Sequence, residues 1–66
     1  MTDEAREKLQ RLLPHWIEHS LEHAETFRQW ANIARDRGRE TAAQHLERAA
    51  RLTEEAAAAL RDATKE

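Results

Sequence analysis

Apolar residues recur along this chain at three- and four-residue intervals, which is the spacing of helices. At 100° per residue, Leu9, Leu13, Trp16, Ser20, Phe27 and Ala34 fall within about 60° of one another on a helical wheel. A second set, Ala42, Leu46, Ala49, Thr53, Ala56, Leu60 and Ala63, is spaced 4,3,4,3,4,3, a heptad seam interrupted only by Thr53. The pattern predicts an all-α fold of two helices. The alanine-rich second helix lets its neighbour approach closely.

Punctuation sets the boundaries. The single glycine, Gly38, follows Ala34-Arg35-Asp36-Arg37 and reads as the left-handed residue just past a helix end. Thr41-Ala42-Ala43-Gln44 fits a capping box opening the next helix. The expectation is one domain over residues 1–66, an antiparallel helical hairpin with helices over about 3–37 and 40–64. The single proline, Pro14, removes an N–H and crowds the carbonyl of Gln10. It either kinks one long helix or starts a second with the proline in its first turn. The apolar phase carries through it, which favours the kink.

Lengths add an inference. Residues 3–37 span about 50 Å as helix, whereas 40–64 span about 38 Å. The second helix therefore ends opposite about residue 12. Leu9, Leu12 and Leu13 then need cover, by folding back at Pro14 or from a second chain. Ile17 and Leu21 on one flank and Ile33 on the other point the same way. Two hairpins dimerising into a four-helix bundle satisfy these residues, with Trp16, Phe27 and Trp30 as core.

Composition narrows the chemistry. A chain of 66 residues buries too little surface to be more than marginally stable, and such chains lean on a staple. There is no cysteine, so disulfides, thiolate zinc sites and iron–sulfur clusters are excluded. Net charge is −2 and evenly spread, without the basic face that nucleic acid requires. No apolar run approaches a membrane span. The charged first residues lack a signal-peptide core, giving the expectation of a cytoplasmic protein.

The residues with distinctive chemistry are the histidines His15, His19 and His23, spaced four apart. Positions i and i+4 are neighbours on a helix, about 5–6 Å apart at Cβ, so two imidazoles are able to grip one divalent ion. Glu22 and Glu18 lie beside them as further ligands or orienting groups. All three histidines cover about 12 Å of axis, too much for one ion in one helix. A pair closed by another helix, or two ladders facing across a two-fold axis, is the workable site. The wheel places His23 closest to the apolar seam, His19 at its edge and His15 towards solvent, making His19/His23 the better pair. Imidazole with carboxylate suits nickel, cobalt, zinc or copper(II). The competing readings are packed or solvated histidines without a ligand, and stacked imidazoles that repel on protonation. His45 reads as an edge histidine. An aromatic pocket for a planar cofactor, with a histidine ligand, is a weaker reading of Trp16, Phe27 and Trp30.

Catalysis has little support. Leu12, Trp16, Ser20 and Ala42 stand three residues before the four histidines, where a di-iron bundle needs Glu. Ser20 lies near His19 and His23 without an oxyanion nest or third triad member, and there is no glycine-rich phosphate loop.

The string Pro14-His15-Trp16-Ile17-Glu18-His19, then Glu22-His23-Ala24, then Phe27-Arg28 and Trp30-Ala31, resembles a family of short uncharacterised prokaryotic helical proteins. The resemblance covers about residues 9–60 and is specific over 14–31. It implies divalent transition-metal handling, nickel or cobalt, with His15, His19 and His23 acting as one motif. Typical members carry Asn where this chain has Ser20, so no role is carried over to that position. The expected function is a non-enzymatic, homodimeric metal chaperone, store or sensor accessory, serving a metalloprotein or transporter. Its expected ligands are His15, His19, His23 and Glu22. The alternative is a structural or protein-interaction homodimer module with no metal role.

Overall fold

The computed structural model describes residues 3–65 and consists of two helices, α1 (Asp3–Asp36) and α2 (Glu40–Ala63). They pack along one another as a hairpin, with Cα extents of 52 × 14 × 13 Å. Helix α1 runs unbroken through Pro14. The N-terminal leucines therefore do not fold back. No helix among the described residues is long and apolar enough to cross a membrane.

Gly38 makes the turn. Its φ of 76° is left-handed, and a side chain is what that region penalises. The Arg39 N–H donates to the Ala34 carbonyl at 2.8 Å and the Gly38 N–H to that of Arg35 at 3.0 Å, the paired bonds of a Schellman ending. The capping box is not used. Arg39 is already the N-cap, its carbonyl accepting from the Ala43 N–H at 3.0 Å, and its side chain makes no capping bond. The Schellman turn delivers the chain into α2 two residues early, so Thr41 falls inside the first helical turn. Arg35 fastens the turn from the side, binding Glu40 at 2.9 Å and also Glu47.

The contact line between the helices is lined by small residues. Ala24 and Ala31 of α1 and Ala43, Ala50 and Ala57 of α2 are at most 2% exposed, and Leu13 is the one large buried side chain among the described residues. Alanines seven apart allow close approach of the backbones, but each methyl contributes only about 0.8 kcal/mol on burial. The α2 seam is centred one residue later than the expected Ala42–Ala49–Ala56 line, and Ala56 is exposed. Leu46, Thr53 and Leu60 belong to both lines and are half-buried. The Thr53 hydroxyl donates to the Ala49 carbonyl at 2.7 Å, so this polar residue enters the seam already bonded.

Within one hairpin the aromatics form no closed core. Trp16 is 40% and Trp30 56% exposed, and only Phe27 of the three is half-buried. They lie on a flank of α1 that a single antiparallel neighbour does not reach.

Candidate metal centre

An unbroken α1 holds the histidine ladder rigidly, and all three rungs are exposed. His15 and His19 stack with ring centroids 5.9 Å apart and planes at 13°. His19 and His23 meet edge to face at 4.4 Å and 81°. His23 then stacks on Phe27 at 5.9 Å and 21°. The ladder thus has a fourth, aromatic rung. Its i+4 spacing from His23 was visible in the sequence, although there it counted only as core. The expected diagonal from solvent into the seam is flatter than the wheel implies, because His23 is exposed like His19 and His15.

The decisive distance is between the Nε2 atoms of His19 and His23, which lie 3.0 Å apart. With one imidazole protonated on Nε2 and the other on Nδ1, this is a hydrogen bond. With both Nε2 atoms free, the same positions serve one ion. Nitrogens at this separation, each about 2.0–2.1 Å from a metal, subtend about 91–97° at it. A tetrahedral angle needs them about 3.3 Å apart.

Carboxylates line the other side. His15, Glu18, His19 and Glu22 surround a shallow cavity of about 170 Å³. Glu18 and Glu22 are solvent-exposed. No group of three His, Asp or Glu side chains among the described residues converges tightly enough to hold an ion. One chain brings His19 and His23 together, places Glu22 beside them, and leaves His15 a stacked neighbour. His45 lies apart from the ladder, on α2, lining a cleft beside the turn with Gly38 and Arg39.

Electrostatic shifts occur elsewhere. The Arg35 guanidinium, hydrogen-bonded to Glu47, holds that carboxyl below its ordinary value. Arg35 is itself pushed up, chiefly by its bond to Glu47 and then by that to Glu40. These groups stabilise the turn and take no part in the histidine site.

A family model described as a domain of unknown function (DUF8180) matches residues 2–66 of the chain. No curated protein and no solved structure matches it.

Proposed function

The chain belongs to this family, the domain of unknown function DUF8180, and within it we propose a small helical protein that binds a divalent transition metal through His19 and His23. The observation that carries the reading is the convergence of two exposed Nε2 atoms 3.0 Å apart on a rigid helix. Two ligands are too few for tight binding, so the site takes further groups from a second copy, and the working form is a homodimer. Glu22 supplies a carboxylate, as ligand or as orienting group. Nickel, cobalt and zinc are the candidate ions, since imidazole with carboxylate suits all three. A surface-exposed site suits a chaperone, store or sensor accessory, which must take up and release its cargo.

Isothermal titration with Ni²⁺, Co²⁺, Zn²⁺ and Cu²⁺ tests the reading. Binding tighter than about 100 μM is expected for at least one ion, with a thermal midpoint that rises as ligand exceeds Kd. Weaker binding for all four ions, with an unmoved midpoint, would overturn it.

One set of observations favours a second reading. The His19–His23 hydrogen bond and the His23–Phe27 stack satisfy these rings without a metal. A structural or interaction homodimer would use them in this way. In that case the His15, His19, His23→Ala triple variant keeps its oligomeric state and the wild type ignores metal.

A further inference from the structure

The helices of this hairpin each carry a second seam, and the two seams share one face. On α1 it runs from Leu9 to Ile33 through Trp16, His19, His23 and Trp30 at 3,4 spacing. On α2 it runs from Ala42 to Ala63 through Ala49, Leu52 and Ala56 at the same spacing. Each lies about 90–100° from its own contact line, in the same rotational sense. In an antiparallel pair the same sense puts both on one side. The opposite flank carries the interhelix ion pairs Arg28–Glu54 and Arg35–Glu47. No position of either second seam is charged, in a chain that is 36% charged. Trp16, Trp30 and Leu52 on this face are 40%, 56% and 53% exposed.

We propose that a second copy of the chain docks on this face antiparallel, α1 on α1 and α2 on α2, so that His19 and His23 meet the same pair of the partner subunit around a two-fold axis and form one four-imidazole metal site. The inference rests on the metal reading for the ion and on the face itself for the docking. The face measures about 36 Å by 20 Å, roughly 700 Å² per partner, close to what a standard stable interface buries. Among the described residues the hairpin by itself fully buries only Leu13 and five alanines, so a partner is the staple that a chain of this size needs.

The antiparallel direction follows from the overhang. Helix α1 has 34 residues and α2 has 24, so the first turns of α1 project past the end of α2. The last residues of α2 border Leu9 and Leu13: Ala63 and Thr64 line one cleft with them. A parallel mate would set its own α2 against α1 and end at the same level, leaving Leu9 and Leu12 bare. An antiparallel mate sets α1 against α1. The α1 seam reads symmetrically about residue 21: Leu9 then meets the partner's Ile33, Leu12 the partner's Trp30, Trp16 the partner's Thr26, and His19 the partner's His23. The shared cleft pairs residue 13 with 63 across the hairpin. That register puts residue 21 level with about residue 55 of α2. The α2 seam is symmetric about residue 54, with Leu52 on the partner's Ala56 and Ala49 on the partner's Ala59. One axis therefore serves both helices.

The flanking row agrees. Lys8 faces the partner's Asp36, an attractive pair. Glu22 faces the partner's Glu22, which repel unless a cation lies between them. Four imidazoles and two carboxylates around one axis supply the cation's ligands, a donor set that suits Ni²⁺. His15 lies outside this set.

The test uses the full chain, which has no cysteine of its own. Ala49→Cys and Ala59→Cys chains are mixed in equal amounts and oxidised with diamide. The antiparallel register gives mainly the mixed disulfide, and sedimentation gives a dimer that binds one Ni²⁺ per two chains. Mainly like-with-like disulfides, or a monomer at micromolar concentration, overturns the docking. A monomer that binds one ion per chain overturns the docking but supports the metal reading. A dimer with the mixed disulfide that takes up no Ni²⁺, Co²⁺, Zn²⁺ or Cu²⁺ supports the docking and overturns the metal reading.

Discussion

At the scale of single residues, the histidines divide into a pair and a neighbour. His19 and His23 share a point between their Nε2 atoms, whereas His15 only stacks on His19 from 5.9 Å. Replacing a ligand removes a metal–nitrogen bond, and even supporting groups beyond the ligands are worth about 10–100-fold in affinity. His19→Ala and His23→Ala are each expected to weaken Ni²⁺ binding by more than about 100-fold, and His15→Ala to leave it unchanged. Titration of the three single variants decides the matter, and equal losses in all three would contradict the pair. The same comparison separates a binding role from a packing role, because circular dichroism of all three variants should show the helix content of the wild type.

At the scale of the elements, the hairpin depends on alanine at its contact line and on its turn. Ala50 is 0% exposed and sits midway along α2. Ala50→Leu adds three carbons at a fully buried position of the contact line, and overpacking of this kind costs about 1–3 kcal/mol. The melting midpoint should fall sharply, while Ala59→Leu on the exposed face should leave the hairpin's own packing intact. The turn has a pH dependence of known sign. Glu47 has a lowered folded-state pKa, so its bond to Arg35 stabilises the hairpin fully above the carboxylate's ordinary value of 4.5. That contribution is lost as pH falls through the lowered folded-state value. Thermal melts on descending from pH 5 should lose stability, and Glu47→Gln should remove part of that slope. A variant whose midpoint tracks the wild type at each pH would show that the bond contributes nothing.

At the scale of the whole molecule, one hairpin leaves several large apolar side chains uncovered. Its contact line buries methyl groups, and its largest apolar side chains stay partly in water. Stability supplied by a partner depends on concentration by mass action. Dilution should therefore lower the melting midpoint. It should also shift tryptophan emission to the red, since both Trp16 and Trp30 lie on the face assigned to the second copy. Emission and midpoint that are constant from millimolar to sub-micromolar chain would show that the hairpin stands alone.

Much of this architecture was legible in the order of residues. Helical spacing with a single glycine dictates two helices and one turn, because only glycine takes a φ of 76° without penalty. The i+4 spacing of the histidines places them on one strip of one helix wherever that helix lies. Other features needed the fold. Pro14 is compatible with a kink or a break, and the structure shows the helix running through it. Thr41 and Gln44 match a capping box, yet the Schellman turn starts the helix ahead of them. The helical wheel gives a broad apolar arc on α1, which is the sum of two seams. It cannot say which seam meets α2, because that depends on where the alanines of both helices coincide. The close Nε2 contact of His19 and His23 is likewise a matter of side-chain rotation, which spacing permits and does not dictate. Sequence thus determined which residues share a face; tertiary contact decided which face is buried within the chain and which is left exposed.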